Sequence, residues 1–469
     1  MKTFNRCKLA MVVGTVLLPC AELVLAANPA VSISRVSPAG TTLEIGTDVT
    51  FRIVATDSDG NLESIHFCRK IGSAIDTDDT CKVVINNISS AATSRTENVT
   101  KSFGPASVTG TKEVYYAYAV DSNGSRSALG AATDYEEIIW KADVVVSSGN
   151  IATLQDKIDV ANGTQNDRAS IFVTGTYIGT GANPGLEING KKFITLVGND
   201  SARIIGANTS NDVVSINNSK GIKVLGFTIG NDVPGSETSW NLIKGSYGIV
   251  VTGGPTTSNT IPTGPSDGIV IGDNRVRLTA SSGIRVDGAS YVEIQNNVVE
   301  KTNAGAAYMY YADGQRPEVT DTNWLIKDFF QGADGLRKMH YRTDRDNTTA
   351  SNVNVANDCD QAFDRESTGD SSNNKLFRPT QEMISVSKIK IGSNPNTYRH
   401  SRFVNVVGNE VFNGPWTINN VCVIGKEGID LKSGSSNSNV EFNYVHDLHK
   451  LGIYVDAYQD FQENNIVNG

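Results

Sequence analysis

The chain has 469 residues, a formal net charge of −9 and only 19% charged residues, with 44 glycines. An acidic balance of this kind excludes a general nucleic-acid binder, which needs a basic surface. Few charges with abundant glycine point to an all-β exported protein rather than a helical one.

The N-terminus reads as a bacterial Sec-type signal peptide over residues 1–27, which implies a secreted or periplasmic protein. Lys2, Arg6 and Lys8 form a positive start, Leu9 to Leu18 an apolar core, and Leu25-Ala26-Ala27 a small-residue cleavage region. That apolar core is too short to span a bilayer, and no later run is long enough either. Of six cysteines, Cys7 and Cys20 leave with the signal. Cys68 and Cys81 lie 13 apart in an exported chain and are expected to pair. Cys359 and Cys422 are a second pair or two thiols.

Residues 28–140 predict a small β-sandwich. Val49–Ala55, Ser64–Cys68 and Val114–Val120 alternate apolar and polar residues, the period of a half-buried strand. Turn clusters at Asp57–Asn61 and Asp121–Gly124 separate them. Asp57, Asp59 and Asn61 imitate the start of a calcium loop, but Cys68 stands where its twelfth-position Glu belongs, so a tight turn is the expectation. With these turn phrases the block resembles the immunoglobulin-like domains of bacterial surface and secreted enzymes.

Ile151, Leu154 and Ile158 are spaced for a short amphipathic helix over Ile151–Val160, as expected of a cap on the end of a solenoid. Short strands then recur at close spacing: Ser170–Thr174, Phe193–Val197, Arg203–Ile205, Val213–Ile216, Ile222–Val224, Phe227–Ile229, Gly248–Val251, Gly268–Ile271, Gly283–Val286 and Val292–Ile294. Two phrases repeat among them. Gly-Ile-x-Val or a close variant begins at Gly221, Gly248, Gly268, Gly283, Gly428 and Gly452. Asn-x-Val begins at Asn274, Asn297, Asn409, Asn443 and Asn465. The glycine turns a corner before a strand, and stacked turn asparagines can build a ladder. Parallel strands need crossovers, and without helices the crossovers must be further strands.

This style of repeat, over about residues 145–469, resembles the right-handed parallel β-helix of the pectate-lyase-like superfamily. The expected fold class is therefore all-β: a right-handed parallel β-helix, over 141–469, preceded by a small immunoglobulin-like β-sandwich. The polar stretch at about 301–400 breaks the rhythm and reads as a loop excursion, either a wall of a binding groove or a solvated insertion. Tyr308–Tyr311 within it has a strand-like run, and regular coils are expected to resume by Arg402–Val407.

The candidate chemistry lies in Glu427–Asp456. Gly428–Lys432 and Gly452–Asp456 share a pattern at an offset of 24 residues. If that offset is one coil, Lys432 and Asp456 stack about 4.8 Å apart in backbone, and Asp430 shares their face. Gly428-Ile-Asp-Leu-Lys432 resembles the strand carrying the lysine base of the calcium-dependent family nine pectate lyases. The resemblance implies β-elimination on a uronic-acid polymer, with Lys432 as base and Asp430 beside it. Glu427 and Asp456 are the metal ligands so implied, with Ca2+ as the ion, although the adjacent aspartates of that family are not found here.

Arg285 occupies the corresponding strand position in an earlier coil and is a candidate clamp for a substrate carboxylate. His446 is a candidate acid/base or binding group, and Trp416 and Tyr458 are candidates for stacking on sugar rings. The bland alternatives are a Lys432 ion pair with Asp430 or Asp456, a turn histidine, and aromatics covering loop surface. The expected partner is an anionic polysaccharide, met by a monomer. Two other readings stand beside the lyase. One is a β-helix glycoside hydrolase using Asp430 and Asp456 as its carboxylates. The other is a non-enzymatic carbohydrate-binding surface protein.

Overall fold

A computed structural model describes residues 28–71, 82–85, 93–103, 112–127, 135–199, 201–231, 237–238, 242–253, 261–304, 382–391, 398–413, 416–418, 421–423, 427–432, 434–448 and 451–455. The signal segment, Cys81, Cys359, Tyr308–Tyr311, Asp456, Tyr458 and Asn465 lie outside them.

Two sheets form the N-terminal sandwich. One pairs Ala30–Ser37, Thr47–Thr56 and Ser94–Phe103, all antiparallel. The other orders Thr42–Glu44, Tyr135–Lys141, Lys112–Asp121, Leu62–Ile71 and Lys82–Ile85. Their alternating inner residues, including Phe51, Ile53, Ile65, Tyr115 and Trp140, are fully buried. Asp57 and Asp121 close tight turns, each side chain accepting a backbone N–H two residues on. Cys68 is buried and disulfide-bonded.

The remainder is a right-handed parallel β-helix. The helix Ile151–Val160 opens it. Asn150 Oδ1 accepts from Thr153 N at 3.0 Å, an N-cap. Ile151, Leu154 and Ile158 pack onto the first coil and cover its apolar end. Three strands per coil follow, so the molecule has three faces. The first face stacks the start of Ala169–Ile178, then Ile194–Gly198, Lys223–Leu225, Ile269–Gly272, Ser290–Gln295 and Ser401–Val407. The second stacks Arg203–Ile205, Thr228–Ile229, Arg275–Arg277, Val298–Glu300, Glu410–Phe412 and Tyr444–His446. Gly175, at φ +82°, lets the long first strand bend from one face to the next.

The third face orders Leu186–Asn189, Val214–Asn217, Ile249–Thr252, Ile284–Asp287, Ile384–Ser387, Glu427–Leu431 and Leu451–Val455, all in parallel register. Ile384–Ser387 falls within the stretch expected as an excursion, so coiling resumes earlier than the sequence suggested. Four residues of alternation between polar flanks are too short a signal to read. The core inside the coils is a column of Ile, Val and Leu, one layer per turn.

Two devices fix the geometry. Asparagines stack at one corner: Asn274 Nδ2 donates to Asn297 Oδ1 at 3.1 Å, Asn297 Nδ2 to Asn409 Oδ1 at 2.9 Å, and Asn409 Nδ2 to Asn443 Oδ1 at 2.9 Å. The sandwich also docks on the first face. Leu43, Ile45 and Trp140 share one buried cluster with Phe172, Val197 and Leu225. Lys223 Nζ donates to Gly46 O at 2.9 Å across that junction.

Candidate functional site

The third face carries the site because its outward positions hold charged residues where other strands hold Ser, Val or Asn. Along one column the register places Ser215, Val250, Arg285, Ser385, Asp430 and Tyr454 side by side. The next outward column runs Asn217, Thr252, Asp287 and Ser387. Lys432 continues it, its backbone N–H reaching Val386 O at 2.8 Å. Ile429 and Leu431 point inward, so Asp430 and Lys432 point out. The 24-residue register holds, with Ile429 opposite Ile453 and Leu431 opposite Val455.

A carboxylate not singled out in the sequence completes the cluster. Glu382 stands two residues before the third-face strand Ile384–Ser387, and Met383 N donates to Glu427 O at 3.0 Å. Glu382 and Glu427 therefore enter the face side by side. Oxygens of Glu382, Glu427 and Asp430 lie within 4.8 Å of one another, and all three residues are buried. Lys432 Nζ is 2.7 Å from Glu382 Oε2 and 4.0 Å from Asp430 Oδ2. Its side chain is 32% exposed, against 6% and 4% for these carboxylates. The amine thus stands at the solvent edge of an acidic nest.

This donor set fits a hard cation. Calcium takes oxygen ligands at about 2.3–2.6 Å, so oxygens on opposite sides of one ion sit up to about 5 Å apart. Glu427, Glu382 and Asp430 make up this set. Three protein oxygens leave the remaining positions of such an ion to water or substrate.

Arg285 is already engaged. Its Nε is 2.6 Å from Asp287 Oδ2, Nη1 donates to Tyr247 OH at 2.5 Å, and the guanidinium lies 4.9 Å over the Tyr247 ring. Burial works against its charge, but Asp287 and Tyr247 outweigh it and the guanidinium is held more firmly protonated than usual. The arrangement is a braced pair rather than an open clamp. Burial raises the Asp287 carboxyl, and Arg285 and then Lys432 only partly offset it. Asp212, before the strand Val214–Asn217, is raised by burial in the same way.

Two sequence assignments need correction. Trp416 is 1% exposed and offers no ring face to a sugar. It belongs to a side sheet of Glu237–Thr238, Trp416–Ile418 and Val421–Val423, built from loops between the second and third faces. His446 lies on the second face, stacked on Phe412 at 4.9 Å and Tyr444 at 4.2 Å, with Nδ1 2.8 Å from Asp447 Oδ2. The strand register separates it from the Lys432 face.

No family model and no curated protein matches the chain. Solved structures give weak similarities. The PKD domain of an M14-like peptidase from a Thermoplasmatales archaeon aligns with 25% of this chain and 98% of its own, at 17% identity and a TM-score of 0.17. The A-module of mannuronan C-5 epimerase AlgE4 from Azotobacter vinelandii aligns over 62% of this chain and 56% of its own, at 11% identity and a TM-score of 0.23. The AlgE6 A-module of the same organism aligns over 62% and 64%, at 12% identity and a TM-score of 0.19. At such TM-scores the likenesses carry no argument about activity.

Proposed function

We propose that the protein is an enzyme of acidic polysaccharides, cleaving a uronic-acid polymer by β-elimination with Lys432 as base. The observation that supports this most is the placement of Lys432: a partly exposed amine on the outer face of a rigid parallel sheet, ringed by carboxylates. Elimination asks for a base at the C5 proton and positive charge at the adjacent carboxylate. The neutral Lys432 amine takes the C5 proton, the C4–O bond breaks with its electron pair going to the oxygen, which takes up a proton from water and leaves as a hydroxyl, and a C4–C5 double bond forms. Glu382 and Asp430 fix the amine over the face, which supplies orientation as well as reach. A hard cation on Glu382, Glu427 and Asp430 would supply the positive charge that steadies the substrate carboxylate.

A second reading keeps one observation. The oxygens of the three carboxylates lie within 4.8 Å, near the roughly 5–5.5 Å separation of retaining glycoside hydrolases. One assay separates the two. A panel of uronic polymers is incubated with the protein, with and without chelator, while ultraviolet absorbance of the unsaturated product is followed. Absorbance that grows with chain cleavage supports elimination. Reducing ends without absorbance support hydrolysis and overturn the lyase reading.

A further inference from the structure

Away from the β-helix, two turns at one end of the sandwich hold buried carboxylates. Asp57 closes the turn that passes from Thr47–Thr56 to Leu62–Ile71, its carbonyl accepting from Gly60 N at 3.2 Å. Asp121 ends the strand Lys112–Asp121, and its carbonyl accepts from Gly124 N at 2.9 Å. Strand pairing joins the two turns. Leu62 stands opposite Asp121 in the antiparallel register, and Ser122 N donates to Asn61 O at 2.9 Å. Asp57, Asn61 and Asp121 therefore share one end of the sandwich.

Asp57 and Asp121 are 1% and 0% exposed. One oxygen of each is occupied. Asp57 Oδ1 accepts from Asp59 N at 3.1 Å, and Asp121 Oδ1 from Asn123 N at 2.9 Å and Ser125 N at 2.7 Å. The other oxygen of each, Oδ2, is buried and accepts no hydrogen bond, and Asn61 Oδ1 is buried and unpartnered beside them. Neither carboxylate pairs with a lysine or arginine among the described residues. Buried charges in proteins are paired or coordinate a metal. Three orphan oxygens, two of them on carboxylates, call for a cation.

We propose that Asp57, Asn61 and Asp121 hold a calcium ion that ties the two turns together. In the sequence, Asp57, Asp59 and Asn61 begin a calcium-like loop that lacks its closing Glu. Asp121 supplies the missing carboxylate from the paired strand. Calcium takes about six to eight oxygens at about 2.3–2.6 Å, so backbone carbonyls of the same turns complete the shell. That reach is shorter than the roughly 2.8 Å between an oxygen and a hydrogen-bonded water, so a nest closed to water still admits the ion. Magnesium keeps several of its waters and is disfavoured in such a nest. The site lies in the sandwich, apart from the Lys432 nest, and does not depend on the elimination reading.

An ion enclosed in this way leaves slowly, so the test reads metal content. The full chain is purified with calcium present, desalted into chelator-treated buffer and assayed by atomic emission. The Lys432 nest, open at its solvent edge, gives up any ion on desalting, and calcium added afterwards reports that nest alone. One calcium per chain is expected to stay with the wild type and to be released when urea unfolds it. Asp57→Asn and Asp121→Asn keep the Oδ1 acceptor of each turn but remove a charge, and both should emerge without the ion. Should both fold poorly, Asn61→Leu removes a neutral ligand and should emerge without it as well. Glu427→Gln should retain the full equivalent, so failure here and failure of the elimination reading are told apart. A wild type that emerges without calcium, or with magnesium in its place, overturns the proposal. So does full retention in Asp57→Asn and Asp121→Asn.

Discussion

Lys432 Nζ and Glu382 Oε2 lie 2.7 Å apart, although 50 residues and one strand register separate them. The register sets Glu382 beside Glu427 at the start of the next strand, and the Lys432 side chain reaches back along the face from the far end of that strand to meet it. Lys432→Ala is expected to lower turnover of a susceptible uronic polymer by at least about 100-fold, the usual range for a lost general base. Lys432→Arg should not restore it, since a guanidinium does not deprotonate at working pH. Unchanged product absorbance in Lys432→Ala would remove the residue from the chemistry.

The same amine competes with any cation for Glu382. Calcium is expected to raise the Tm of the wild type, and Glu427→Gln or Asp430→Asn to abolish the rise. Lys432→Met removes the competitor and should bind calcium more tightly than wild type. The gain at 100-fold excess over Kd corresponds to about 2.7 kcal/mol. A calcium titration followed by melting checks this without any substrate. A rise that survives both carboxylate substitutions would place the ion elsewhere.

Much of this was legible in the sequence because a solenoid repeats its signals. Gly-Ile-x-Val at Gly248, Gly268 and Gly283 marks strands that the structure begins one residue later. The 24-residue offset between Ile429 and Ile453 is one coil. The contacts that cross unreadable segments were not legible. Glu382 follows a long polar stretch and precedes only four alternating residues, so nothing announced that it entered the same face as Glu427. Trp416 and His446 look alike in one dimension, but neither shares the face of Lys432. Arg285 reads in sequence as a candidate carboxylate clamp, and its tether to Tyr247, 38 residues away in the preceding coil, leaves no local signal.

Asp212 gives the site a pH signature. Burial raises its carboxyl, and Asp287 adds to the rise. A carboxyl held higher in the folded state stabilises the fold at low pH. That contribution is complete below the unfolded value, near pH 4, and is lost as pH climbs through the folded one. Asp212→Asn keeps the acceptor for Ser215 and removes the titration. The variant is expected to melt at or above wild type at pH 7, with the gap closing toward pH 4. Parallel melting profiles from pH 4 to 7 would contradict the assignment.

The asparagine ladder should be worth more in the middle than at its end. Asn297 is fully buried and accepts from Asn274 N and Nδ2 while donating to Ile271 O and Asn409 Oδ1, all within 3.1 Å. Asn297→Ala takes the amide partner from Asn274 N and Ile271 O, whereas Asn274 Nδ2 keeps Val224 O and Asn409 Oδ1 keeps the Asn297 backbone N–H. At about 1–3 kcal/mol for each of the two, the loss is expected to reach about 2–6 kcal/mol. Asn443 stands in the last described coil, half-buried, donating to Val406 O and accepting from Asn409. Water can replace part of what Asn443→Ala removes, so its cost should stay near 1–2 kcal/mol. Urea midpoints at constant m-value measure both. Equal costs would mean that the stacked amides act as separate turn caps rather than as one buried chain of hydrogen bonds.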